Sequence, residues 1–202
     1  MKSRVLLPIA LLIVGVASGW LLGRFQFRQT PVQLVAGPAE TVAEAPPRVP
    51  GDSPLDMLDW LVGDWVDASD NASIEFNCHF TKNDAFLLRS FKVINAKNVS
   101  FSGMQLVAWD ATKEAIRSWT YDSQGGFGEE TWTQAGNRYT LRCKYTLPDG
   151  GTGSNLQVVT FIDNDTFTWK SVNREIDGEF QPDTEEITLV RKPVIDDAQG
   201  AK

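Results

Sequence analysis

At 202 residues, 42% of them hydrophobic and 22% charged, the chain can bury one sizeable core. A formal charge of -7, with no basic cluster beyond Arg28, excludes nucleic acid as a partner, because phosphates reward patches of Lys and Arg. Two cysteines and one histidine cannot assemble a zinc or iron–sulfur centre, and no cofactor is expected.

Residues 5–23 form an apolar stretch of 19 without a charge, preceded by Lys2 and Arg4 and followed by Arg24 and Arg28. At about 1.5 Å per residue, a helix of that length nearly spans a bilayer core of about 30 Å. Residues 1–28 therefore read as an uncleaved signal anchor or, with Val16-Ala17-Ser18 before Gly19, as a cleaved signal peptide. Either way the rest of the chain is expected in the cell envelope, on the extracytoplasmic side of the membrane or released there. Residues 29–54, rich in Pro, Ala, Val and Glu, lack the large side chains that offset ordering entropy and are expected to be a disordered tether, as is the tail 193–202. The globular domain is expected over 55–192.

Apolar residues at Leu55, Leu58 and Leu61 suit one or two helical turns capped by Ser53. After Gly63 the period becomes two: Ile74, Phe76, Cys78 and Phe80 alternate with Glu75, Asn77 and His79, as in a strand with one buried face. The pattern predicts strands near 64–69, 73–81, 85–95, 99–109, 114–122, 127–134, 138–147, 153–163, 166–174 and 184–192. Turn residues punctuate them, as in Lys82-Asn83-Asp84, Ala135-Gly136-Asn137 and Asp163-Asn164-Asp165. Short connections make consecutive strands antiparallel neighbours. About ten in series predict an all-β, up-and-down antiparallel barrel, which removes exposed edges, with a two-sheet sandwich as the rival. Cys78 and Cys143 fall on the second and seventh strands, which are not neighbours in such a wall, so two separate buried thiols are expected.

Residues 58–65, with Gly63-Asp64-Trp65 opening the first strand, resemble the Gly-x-Trp start of lipocalin-like (calycin) barrels. Together with Arg89-Ser90-Phe91, Trp109-Asp110, Ile116-Arg117-Ser118-Trp119, residues 122–128 and Phe167-Thr168-Trp169, the block is similar to an uncharacterised bacterial domain of that type. Such domains also occur behind SnoaL-like modules, and none precedes the barrel here. The resemblance spans about residues 55–193 and implies a lipocalin-like barrel with Trp60, Gly63 and Trp65 at a plugged end, and no established activity.

Seven tryptophans and eleven phenylalanines could line a pocket or fill the barrel solid. Arg89 shares a strand face with Leu87, Phe91 and Val93, where a guanidinium is costly without an anion or an acid to meet it. Arg117 repeats the pattern beside Trp119 and Tyr121. With Trp132 and Trp169, these residues form the expected ligand-binding set: Arg89, Phe91, Arg117, Trp119, Tyr121, Trp132 and Trp169. Alternatively, the arginines pair with Glu130 or Glu186 or point outward. By analogy with fatty-acid-binding members of the superfamily, a small amphipathic or hydrophobic ligand, anchored by its acid, is expected. His79 alternates with Glu75 and Asn77 and is expected to face solvent rather than haem. Gly125 to Gly128 reads as a hairpin rather than a phosphate loop, since no helix follows. Adjacent Glu129 and Glu130 point to opposite faces and cannot act as one acid–base pair. The leading expectation is a non-enzymatic ligand-binding barrel. The alternatives are an envelope interaction module with a filled barrel and, less supported, an isomerase or hydrolase using a lumen carboxylate.

Overall fold

Ser53 is a helix cap: its hydroxyl accepts from the Leu55 amide at 3.2 Å while Asp56 accepts from the Ser53 amide, closing a capping box. The helix it starts, Pro54–Leu61, is of the 3-10 type and buries Leu55, Leu58 and Leu61 almost completely. The computed structural model describes residues 51, 53–69, 74–95 and 98–192. The expected apolar helix within 1–28, nearly all of the tether and the tail from 193 lie outside the described residues. Among the described residues no helix is long and apolar enough to cross a membrane.

Among the described residues eleven strands follow: β1 (Gly63–Asp67), β2 (Ile74–Phe80), β3 (Leu87–Asn95), β4 (Asn98–Asp110), β5 (Ala115–Asp122), β6 (Phe127–Ala135), β7 (Arg138–Thr146), β8 (Thr152–Asp163), β9 (Thr166–Ile176), β10 (Glu179–Gln181) and β11 (Ile187–Arg191). Each of β1 to β9 pairs antiparallel with the next. The wall closes because β11 lies between β9 and β1, pairing Ile187 with Trp169 on one side and Trp65 with Arg191 on the other. The result is a closed ten-stranded antiparallel barrel, not a sandwich, and β10 adds a short eleventh strand at the far end of β9. That eleventh strand was not expected. It exists because Asp177 and Gly178 both take positive φ (49° and 84°), turning β9 back on itself in a tight hairpin.

Side chains alternate between the two sides of this wall. Cys78 and Cys143, free thiols on β2 and β7, both face inward and are buried; burial pushes the Cys78 thiol up to about 12 and the Cys143 thiol higher still. Both act as small apolar side chains.

One end of the barrel is filled by aromatic rings. Trp60, on the helix, contacts Tyr139 of β7, Phe161 of β8, Phe167 of β9 and Trp65 of β1, so the helix lies across the mouth. Trp65 is fully buried and donates its indole N–H to the Leu61 carbonyl at 2.9 Å. Arg191 locks the arrangement: its guanidinium sits 4.4 Å over the Trp65 ring and donates to the carbonyls of Val62 (2.7 Å), Trp60 (3.2 Å) and Asn164 (2.6 Å). These are carbonyls of the helix end and of the β8–β9 turn, which the planar guanidinium joins together. Gly63 is required beside this clamp, because its φ of 125° disfavours any side chain and a Cβ would collide with the Arg191 guanidinium.

Candidate functional site

Inside the barrel, above the plug, the apolar lining gives way to a polar belt. Gln105 of β4, Ser118 and Thr120 of β5, Glu130 of β6 and Gln157 of β8 are all buried. They converge because strand register aligns them: Gln105 stands opposite Thr120, and Ser118 opposite Glu130. The Glu130 carboxylate accepts from the Ser118 hydroxyl and from the Thr120 hydroxyl, the latter at 2.7 Å. Ser118 accepts in turn from the Trp132 indole at 2.8 Å and the Gln105 amide at 3.2 Å. Glu130 is thus held by neutral donors on one wall of the lumen.

Arg89 enters the same space from β3. The side chain points into the barrel, with its guanidinium 5.4 Å over the Phe76 ring, and the residue as a whole is half-buried. Its Nε is buried and meets no acceptor among the described residues. Burial lowers the Arg89 pKa from the usual guanidinium value; Cys78, Glu130 and Cys143 act in the opposite direction. Two small cavities border Arg89. One, of about 30 Å³, is walled by Phe76, Phe91, Gln157, Phe167 and Trp169 among others. The other, of about 20 Å³, is walled by Thr120, Glu130, Cys143 and Tyr145 among others. Each is large enough for a water or two, at about 10–15 Å³ per water on this measure, or for the head of a small anion.

The structure therefore brings together Arg89, Phe91 and Trp169 of the expected set around one cavity. Trp132 also faces inward, but its indole is engaged with Ser118 and it borders neither cavity. Trp169 donates to Gln157 at 3.2 Å. The expected lumen position of Arg117, Trp119 and Tyr121 is corrected. These three lie on the outer face of β5, where Arg117 pairs with Glu129 (2.6 Å) and Asp110 (3.3 Å) and stacks 5.3 Å over Trp119, while Tyr121 is 53% exposed. The physical reason is Glu130: burying its carboxylate requires hydroxyl donors, and Ser118 and Thr120 supply them only if β5 turns that parity inward. Of the acids weighed as partners, Glu130 bonds to hydroxyls and Glu186 pairs with Lys170 outside at 3.4 Å. His79 faces solvent, its Nδ1 2.9 Å from the Asn77 side chain.

The chain matches no protein-family model and no curated protein.

Sequence reasoning overlooked the polar belt. Its signal was present: Gln105, Ser118, Thr120 and Gln157 all share the parity of large apolar residues on their own strands, such as Val107, Ile116 and Val159. Aromatic Trp119 and Tyr121 drew attention to the wrong face of β5, as exposed aromatics can.

Outside, Met104, Tyr121 and Phe127 stand side by side in register on β4, β5 and β6, each about half exposed. A groove of about 600 Å³ continues from them, walled by Trp119, Tyr121, Phe127, Tyr145, Ser154 and Glu175 among others. It shares Phe127, Gly128, Lys144 and Tyr145 with the 20 Å³ cavity beside Arg89.

Proposed function

We propose that this protein is a non-enzymatic lipocalin-like barrel that binds a small amphipathic acid, with Arg89 receiving the acid group. The observation that carries this reading is the buried Nε of the inward-pointing Arg89, which has no acceptor among the described residues. A buried donor without an acceptor costs about 1–3 kcal/mol, and an anion removes that cost by supplying charge-assisted hydrogen bonds. The two cavities fit a carboxylate head but not a chain, so the apolar part of the ligand extends from the barrel into the aromatic groove around Trp119, Tyr121 and Phe127. Residues 5–23 tether the barrel to a membrane on its extracytoplasmic side, within reach of amphipathic molecules.

Dodecanoate is the test ligand. At a hundred times its Kd it should stabilise the full chain by about 2.7 kcal/mol in thermal unfolding, as any ligand exclusive to the folded state does. Dodecanol and dodecyltrimethylammonium, which share the chain but not the acid, should stabilise far less. Equal effects of the three compounds, or none, would refute the reading.

A second reading is favoured by the aligned Met104, Tyr121 and Phe127: a filled barrel whose outer face docks a partner in the envelope. It predicts a co-purifying protein that is lost on Tyr121→Glu, with no response to dodecanoate.

A further inference from the structure

Tyr145 is the last inward-facing residue of β7, six residues beyond Tyr139 of the plug, which at about 3.3 Å per residue places it about 20 Å along the strand. Its two cross-strand neighbours are both glycine: Gly128 on β6 and Gly153 on β8. Neither cross-strand neighbour therefore places a side chain against the tyrosine ring, and beyond it on the same face Leu147 is buried at the rim. The ring lies over Gly153, where a Cβ would fall inside it. The hydroxyl is only loosely held, 3.5 Å from the Glu175 carbonyl. On one side of Tyr145 is the 20 Å³ cavity bordered by Arg89 and Cys143; on the other is the 600 Å³ groove.

We infer that Tyr145 is the gate between the outer groove and the Arg89 cavity, swinging off Gly153 to admit the head of an acid and closing against its chain. The gate rests on the anion-binding reading for its purpose, but its motion does not require a ligand to be observed. Tyr145 is the most exposed member of the buried apolar cluster, and on the Gly153 flank its ring rests on bare backbone, so on that flank a change of rotamer displaces no side chain.

Cys143 lies directly behind the gate and Cys78 elsewhere in the lumen, so thiol labelling reads the gate without any ligand. The folded full chain is treated with methyl methanethiosulfonate at pH 8, and the two cysteine peptides are quantified by mass spectrometry over time. Tyr145→Ala should raise the Cys143 labelling rate at least tenfold and leave Cys78 within twofold of the wild type. Gly153→Ala, which drives the ring aside from the neighbouring strand, should act in the same direction, and Tyr145→Phe should stay within twofold. An unchanged Cys143 rate in Tyr145→Ala, or equal acceleration of both cysteines, overturns the gate. The latter result would mean that the variant had loosened the whole barrel. Failure of the anion reading is separate, since it shows as no dodecanoate stabilisation in the wild type whatever the labelling rates do.

Discussion

Arg89→Met is expected to make the ligand-free protein more stable, by about 1–3 kcal/mol, and to abolish its stabilisation by dodecanoate. The two effects have one cause. Arg89 places a charge inside the barrel, over the Phe76 ring, with a buried Nε that no acceptor reaches. Methionine keeps the unbranched stem and fills similar space without the desolvated charge. A stability deficit retained at a binding site is the expected trade between folding and function. Urea unfolding of the two proteins, each with and without dodecanoate, measures both effects. A loss of several kcal/mol in Arg89→Met would mean instead that the guanidinium is satisfied internally, with Glu130 as the only buried carboxylate on that side of the lumen among the described residues.

Trp65→Ala is expected to cost about 3–5 kcal/mol, a large fraction of the about 5–15 kcal/mol that holds a typical domain folded. Trp65 is fully buried and touches Trp60, Phe76 and Phe167, so its removal empties the centre of the plug. The Leu61 carbonyl loses its indole donor, and the Arg191 guanidinium loses the ring beneath it. The helix across the barrel mouth should therefore detach before the strands separate. Urea unfolding gives the total, and amide exchange at Leu58 and Leu61 should report the early release of the helix. A cost below about 1 kcal/mol would show that the helix and Arg191 hold the closed end without the tryptophan.

The wall of the barrel was legible because its signal is local. Alternation from Ile74 to Phe80, repeated between Gly, Asn and Asp turns, gives all ten members of the ring, nine of them with bounds within a residue or two. Closure follows from the economy of short connections, and the pairing of β11 with both β1 and β9 supplies it. The β10 hairpin carried an equally local signal in Asp177-Gly178, but three residues are too few to show alternation. β11 starts at Ile187, three residues later than expected, because Thr184 is used to bridge the bulge at Asn173, bonding both the amide and the carbonyl of Ser171.

The site was less legible, for a physical reason. Alternation says that two faces of a strand differ, yet which face is inside depends on partners from distant strands. On β3 the apolar neighbours Leu87, Phe91 and Val93 decide the matter, and Arg89 was placed correctly. On β5 both faces mix polar and apolar groups, so the choice rests on Glu130, twelve residues away from Ser118 along the chain. The same holds for Tyr145. Its inward direction can be read from Leu141 and Cys143, but its isolation between Gly128 and Gly153 exists only once the register of β6, β7 and β8 is known.

The most direct measurement of the central claim, that a closed barrel encloses an arginine lacking an internal acceptor, is the Nε–Hε resonance of Arg89 in a ¹⁵N-labelled sample, assigned by its loss in Arg89→Met. It should exchange with solvent far more slowly than those of exposed Arg138 and Arg142, and it should move on addition of dodecanoate while theirs stay fixed. An Arg89 signal that exchanges as fast as the exposed arginines, and ignores the acid, would contradict both the enclosure and the site built upon it.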